Sequence, residues 1–447
     1  MKKKQVVVMT MAAVMACGAM TACGGSKSDA GNNAAAGSEA SGETGSAEGK
    51  QVLSVTTWDN ESTPQFQAVI DAYEEKNPDV EIKIIDTSAD EYNNSLGISL
   101  SAAQPDPDVI WVKDMGSMLQ MADKEQLLPI DEFIKKDNLD LSIYKGAAEQ
   151  LQYNGVSYAL PYRNDWYVLY YNKDLFDAAG VEYPSNDMTW QEYYDLAAKL
   201  TSGEGSSKVY GSHNHTWQAL VTNWAVQDGE HTVVEKDYSF MKPWYEEALA
   251  LQKNGYIQDY ATLKTANIHY TSVFKNQQCA MMPMGTWFIA TMMSNLKSGE
   301  YDSSLCGNWG IVKYPHAEGV EPGSTLGTIT GLAVTTASDT PDASWDFVKW
   351  VSGEEGAAVM ASSGNFPAMM TDEVVDMISG LEGFPTDEAS KEALTVSNLY
   401  LEVPYAPNVS EINSALDSYH GSIMTGEMSI DDGIAAMNKA VADLQAQ

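Results

Sequence analysis

Apolar positions change their period repeatedly along the chain. VLSVTTW (52–58) is a short apolar run that predicts a strand. Phe66, Val69, Ile70 and Tyr73 then recur at i, i+3, i+4 and i+7, the spacing of one helix face. EIKII (81–85) returns to strand character. A polar helix is predicted from there to about Ala103, ended by Pro105 and Pro107. DVIWV (108–112) predicts another strand. Further on, YVLYY (167–171) runs into NKDLFDAAG, a helix with Gly180 as its C-terminal stop. Thr189 and Glu192 form a capping box ahead of a helix carrying Tyr193, Ala197 and Leu200. KVYGS (208–212) predicts a short strand. Thr340–Pro341 opens a helix with Phe347, Val348 and Val351 inward, and Gly353 stops it. Ser429 with Asp432 opens a last helix with Ile434, Met437, Val441 and Leu444 on one face. No repeat of fixed period is present. Strand–helix–strand alternation predicts an α/β fold, and two α/β lobes with a cleft between them fit the pattern. Open α/β sheets bind ligands at the carboxyl ends of their strands, so residues just after strands carry the functional information.

The N-terminus breaks this pattern. Lys2, Lys3 and Lys4 precede an apolar run from Val6 to Met20, the layout of a secretory signal rather than a membrane span. Small Ala22 stands before Cys23. The segment resembles a bacterial lipoprotein signal (1–22), in which such a cysteine is lipidated and becomes the first mature residue. Met20 departs mildly from the leucine of the usual pattern. Cys17 is the rival position, but Met15 stands where a small residue is expected. Gly24–Lys50 is rich in Gly, Ser, Ala, Asn and Glu and holds no large apolar residue, so it reads as a tether of 27 residues following the anchor. Localisation at the outer face of the bacterial cytoplasmic membrane is expected, with contact to the membrane through the lipid alone.

Composition narrows the function classes. The 447 residues carry a net charge of −36, which disfavours nucleic acid and anionic membrane surfaces as partners and weighs against an anionic substrate. Hydrophobic residues make up 44% and aromatics 10%, ample for large cores. Cys279 and Cys306 are the cysteines of the body. Export permits a disulfide between them, free buried thiols fit equally well, and two cysteines alone make no metal site.

Four stretches place polar and aromatic residues after apolar runs. They are Trp58–Asp59–Asn60–Glu61, Lys113–Asp114, Arg163–Asn164–Asp165–Trp166 and Met284–Gly285–Thr286–Trp287. Arg163 is the only arginine against 25 lysines. Tryptophan beside carboxylate or amide at several strand ends is the composition of a carbohydrate cleft. Indole faces stack on the apolar face of a pyranose, carboxylates accept from ring hydroxyls, and a guanidinium offers planar paired donors. Alternative readings make Asp59 and Asn60 helix caps or turn formers, Asp114 a helix cap, and Arg163 a structural partner of Asp165. His213 and His215 lack companions at metal-ligand spacing, so no metal is expected; Asn214 and Trp217 beside them are better candidates for a cleft. No nucleophile elbow, phosphate-binding loop or H-E-x-x-H motif is present, so no catalytic residue is assigned.

The order of FQAVIDAYEEKNPDVEIK, PDPDVIWVKD, ALPYRNDWYVLYYNKDLFDAAG, TWQEYYDLAAKLT, FKNQQCAMMPMGTWF, WGIVKYP, TGLAVTTASDTPDASWDFVKWVSGEEG and GNFPA, from about Val52 to Leu444, resembles bacterial extracellular solute-binding proteins of the sugar-binding type, the group of maltose-binding protein. The resemblance implies a two-lobed binding protein that closes on its ligand and delivers it to the permease subunits of an ABC importer, without cofactor and as a monomer. It implies lobe one as 51–161 plus 316–355 and lobe two as 162–315 plus 356–447, with crossings near Pro161–Tyr162, Tyr314–Pro315 and Gly353–Gly356. It puts Asp165 on a cleft carboxylate, Trp287 on a stacking aromatic and Asp114 on a sugar-contacting acid, and adds Asn365 of GNFPA to the candidates. Asn214 or His215 stands near a position often aromatic. A stacking tryptophan expected near Pro407 to Ser410 is absent, with Tyr405 or Asn408 as substitutes, which weakens maltodextrin as the ligand. On this reading Arg163 to Trp166 face the cleft. An oligosaccharide is the expected ligand; a polyamine or peptide binder and a surface glycoside hydrolase are the rival readings.

Overall fold

The computed structural model describes residues 50–447 except 62–63, 89–90, 103–105, 145, 405, 407 and 447. The signal, Cys23, the tether up to Gly49, Tyr405 and Pro407 lie outside the described residues. The strands are β1 (Gln51–Trp58), β2 (Val80–Thr87), β3 (Val109–Val112), β4 (Gln152–Tyr153), β5 (Val156–Ser157), β6 (Leu160–Asn172), β7 (Tyr210–Ser212), β8 (Cys279–Gly285), β9 (Trp309–Lys313), β10 (Ser324–Val334) and β11 (Asn398–Leu401). β4 and β5 form a separate ribbon. The others run in the order β2-β1-β3-β10-β6-β8-β7, with β11 beside β10 and β9 beside β6. The fold is a two-lobed α/β binding-protein fold, and two long strands join its halves.

β6 and β10 are those strands. The first half of β6 pairs antiparallel with β10, from Leu160 opposite Leu332 to Trp166 opposite Gly327. Its second half pairs with β8 and β9. β10 pairs with β3 at its far end and with β11 at its near end. The apolar pattern predicts only 167–171 of β6, whereas the strand begins at Leu160 and includes the polar run Arg163–Trp166. β10 carries no clear apolar period, because glycines stand where neighbouring segments close in. A Cβ on Gly327 would lie 2.2 Å from the Asp165 carbonyl oxygen.

Three cores follow. The first gathers Leu53, Val55, Phe66, Trp111, Phe347 and Val348, and also takes Tyr162, Ile329, Ala357, Met360, Ala368 and Met369. Along β6 the side chains alternate. Tyr167, Leu169 and Tyr171 enter a second core with Trp190, Tyr193 and the C-terminal helices, while Trp166, Val168 and Tyr170 enter a third with Met282, Phe288 and Phe366. The predicted helix ends are observed. Thr189 and Glu192 complete their capping box, Gly180 adopts φ 65°, and Ser429 Oγ accepts from the Asp432 N–H at 3.1 Å. The polar second helix is shorter than its pattern, ending at Leu100. Cys279 and Cys306 are free and buried; burial pushes the Cys279 thiol far up and that of Cys306 up to about 11.

Candidate functional site

The second half of the molecule assembles a polar pair beside an aromatic wall. Residues two apart on a strand share a face, so Arg163 and Asp165 meet on one side of β6 and form an ion pair through the guanidinium Nη2 and carboxylate Oδ2. Their side chains are 16% and 6% exposed, so the pair is largely desolvated. Thr286 Oγ1 donates to Asp165 Oδ1 at 3.0 Å, and the Thr286 N–H donates to the Trp166 carbonyl at 2.9 Å. Arg163 Nε is buried without a protein partner. A carboxylate held by two donors is preorganised and keeps lone pairs for a further hydroxyl.

Thr286 also sets the next residue. Trp287 opens the helix Trp287–Ser298, and its six-membered ring lies directly on Gly285, where a Cβ would come within 2.0 Å of it. The ring stands edge-on to Tyr167 at 5.6 Å and 6.2 Å from Trp217. Trp217 in turn meets His215 at 4.6 Å and Tyr270 at 5.7 Å. Trp217 and Trp287 keep partial exposure, so this aromatic wall is not all core. Behind it, Asn214 is buried, accepts from the Tyr193 hydroxyl at 2.9 Å and has its Nδ2 unpartnered. Burial lowers His213 to about 3 and His215 to about 4, so both are neutral at pH 7. No group of three His, Cys, Asp or Glu side chains among the described residues is placed to hold a metal ion.

A second group forms at the carboxyl ends of β1, β2 and β3. Trp58 is half-buried edge-on against Phe66 at 4.8 Å and Tyr92 at 5.0 Å, with Lys113 Nζ 5.5 Å over its ring. Asp59 takes φ 46°, which turns the chain out of the strand. The Asn60 N–H donates to Asp86 at 3.1 Å and its Nδ2 to Gln67 at 3.2 Å; Glu61 is exposed on the same turn. Asp114 caps the helix Met115–Asp123 by accepting from the Ser117 N–H at 2.9 Å, and also accepts from Asn93 Nδ2 at 2.6 Å. The capping alternative for Asp114 is therefore what its local geometry shows.

Two candidates sit elsewhere. Trp166 does not share the face of Arg163 and Asp165. It is 2% exposed, edge-on to Phe366 at 4.9 Å, and belongs to the third core. The expectation that the whole run Arg163–Trp166 faces one way is corrected by strand alternation, which sends Asn164 and Trp166 to the opposite side. Asn365 donates through Nδ2 to Ser363 at 3.0 Å and joins neither group. Asn408, the possible substitute for the missing tryptophan, instead donates to the Leu444 carbonyl at 3.0 Å.

Residues that were not among the candidates complete the first group, around Arg163, Asp165 and Trp287. Tyr167 follows Asp165 on the same face. Glu402 lies just past β11, its carboxyl near Tyr167 and Asn223; burial raises its pKa, and those two neighbours oppose the rise. Both side-chain polar atoms of Asn223 are buried. Strand alternation from Arg163 could have pointed to Tyr167, whereas no local motif marks Glu402 or Asn223.

Comparison with known proteins agrees with this architecture. The model of the family described as bacterial extracellular solute-binding protein matches residues 59–358. A sugar transporter from Rhizobium etli, solved in an open conformation, is 43% identical with a TM-score of 0.81, covering 88% of this chain and 99% of its own. A substrate-binding protein of Listeria monocytogenes in complex with cycloalternan superposes with a TM-score of 0.74 at 20% identity, over 89% of this chain and 99% of its own. The mannitol-binding protein of Pseudomonas aeruginosa is 21% identical over 89% of this chain and 93% of its own length. The chain belongs to the bacterial extracellular solute-binding protein family.

Proposed function

We propose that this protein captures an extracellular carbohydrate, an oligosaccharide in the first instance, by closing its lobes, and hands it to the permease of an ABC importer. The carrying observation is the desolvated Arg163–Asp165 pair set beside Trp287 and Trp217. The guanidinium and the held carboxylate give a donor and an acceptor to neighbouring ring hydroxyls, and the two indoles stack on the apolar sugar face. Trp58, Asp59, Lys113 and Asp114 approach from the other lobe on closure. Capture, closure and release involve no bond-making, so the protein is not an enzyme. The starting division is 51–161 with 316–355 against 162–315 with 356–447. Packing of Ala357, Met360, Ala368 and Met369 into the first core supports moving the last crossing past Met369.

A lipid on Cys23 would hold the monomer at the outer membrane face, and mass spectrometry finding an unmodified or absent Cys23 in the membrane fraction would sink that part. A small polyol is the second reading, favoured by the similarity to the mannitol-binding protein. Incubation with maltotriose, cellotriose, mannotriose or mannitol tests the function. One class should bind saturably, return unchanged, and bind at least tenfold more weakly to Trp287→Ala. Shorter saccharides appearing with time would make the protein a hydrolase instead.

A further inference from the structure

β10 is buried along most of its length, yet Thr328 is exposed and Thr330 half-buried while the residues on either side of each are covered. The register explains the opening. β3 pairs with β10 only as far as Val112 opposite Gly331, where the chain leaves for Lys113 and Asp114, and β11 ends with Leu401 opposite Gly327. Thr328 to Thr330 lie in the gap between those two strands, with β6 on their other side. Thr328 stands opposite Asp165 and Thr330 opposite Arg163, so both threonines share the face of the ion pair. Across β10, the residue after the Leu401–Gly327 pair is Glu402, whose N–H donates to the Gly327 carbonyl at 3.0 Å and extends the pairing by one position. Leu399 and Leu401 line a cavity behind the sheet together with Asn164 and Trp166, so alternation turns Glu402 to the front. Glu402 keeps partial exposure, with Tyr167 and Asn223 beside its carboxyl group. Asp165, Thr328 and Glu402 therefore form one row across three adjacent strands.

We propose that this row is a subsite for one hexose unit of the ligand, and that Thr328 and Glu402 select its epimer. Neighbouring strands lie about 4.8 Å apart and their side chains stand roughly perpendicular to the sheet, so the row is about 10 Å from end to end. Two hydrogen bonds of about 2.8 Å, one to each carboxyl group, leave roughly 4 Å between the ligand oxygens. That separation suits hydroxyls on non-adjacent carbons of one ring and is too long for neighbouring ones. Thr328 lies beneath the ring between them, and its hydroxyl both donates and accepts. An epimer that inverts a gripped hydroxyl leaves a carboxyl group desolvated and unpaired, which costs more than the bond itself is worth. The hexose assignment rests on the carbohydrate reading above; the open floor at Thr328 does not.

Two measurements on the full mature chain test this. In the first, Thr328→Cys is placed in a chain carrying Cys23→Ser and treated with iodoacetamide. The native variant should react at least a hundredfold faster than its parent, whose Cys279 and Cys306 are free but buried. A saturating saccharide should slow that reaction at least tenfold. In the second, cellotriose, mannotriose and β-1,4-galactotriose, which differ in the configuration of single hydroxyls, are titrated calorimetrically. Glu402→Gln should weaken the preferred trisaccharide at least tenfold and narrow the preference among the three. Thr328→Val should do the same several-fold. A Thr328→Cys thiol that reacts no faster than the parent means a closed floor and overturns the subsite. So does a reactive thiol that no saccharide, mannitol, spermidine or short peptide protects. Equal weakening of all three trisaccharides, with their ratios unchanged, overturns the selecting role of Thr328 and Glu402. Protection by spermidine or a peptide and by no saccharide overturns the carbohydrate reading and the hexose assignment with it, while supporting Thr328 as the floor of the cleft.

Discussion

Asp165→Asn removes one charge and little else. The side chain keeps its shape, and its amide oxygen can still accept from Thr286. Arg163 loses its counterion while only 16% exposed and with Nε already unpartnered. Breaking a buried pair from one side costs about 3–5 kcal/mol, against about 0–1 kcal/mol for a solvent-screened surface pair. The residual exposure of Arg163 and the retained Thr286 bond put the expectation at the lower end, about 3 kcal/mol. With a urea slope of about 3 kcal/mol/M, the unfolding midpoint should fall by about 1 M at unchanged slope. Adding Arg163→Met to this variant should recover at least half of the loss, because removing the guanidinium leaves no buried charge unpaired. A loss under about 1 kcal/mol in the single variant, or no recovery in the double, would refute the desolvated-pair reasoning.

Gly285→Ala should displace the Trp287 ring, which a Cβ would meet at 2.0 Å, and should weaken ligand binding about tenfold with little change in far-ultraviolet dichroism; unchanged affinity would remove Trp287 from the site. His213, His215 and His420 are held neutral by burial, at about 3, 4 and 3, so the stability they contribute is complete above their unfolded value near 6.5 and is lost as pH falls below it. Between pH 7 and 5 each should cost about 2 kcal/mol, about 6 kcal/mol together, and Glu402, whose raised pKa acts with the opposite sign as pH falls, reduces that loss. Flat stability over that interval would contradict their burial. Cys279 and Cys306 should react with a thiol reagent at pH 8 only after denaturation, since burial raises both thiols; rapid labelling of the native protein would contradict this.

Elements with local signals were legible in the sequence. Phe66, Val69, Ile70 and Tyr73 are all buried on one helix face, and the Thr189 box and the Gly180 stop form as their local chemistry dictates. β10 was not legible, because Gly327, where the Asp165 backbone closes in, and Gly331, packed against the Ala159 and Leu151 side chains, dilute the apolar period. The same limit shaped the site. Arg163 and Asp165 stood out as unusual residues, but reading their run as following a strand, rather than lying inside one, sent Trp166 to the wrong face. The bond between Thr286 and Asp165 joins residues 121 apart, and the environment of Glu402 depends on Tyr167 and Asn223. Such contacts leave no periodic trace in a chain.

Thermal unfolding of the mature chain against neutral mono- and oligosaccharides, with mannitol, spermidine and short peptides alongside, tests carbohydrate capture most directly. A ligand that binds only the folded state, at 100 times its Kd, adds about 2.7 kcal/mol of stability. An upward shift with one saccharide class, reduced in Trp287→Ala and Asp165→Asn relative to each variant's own baseline, is the predicted result. A shift with spermidine or a peptide and none with any saccharide or polyol would contradict it.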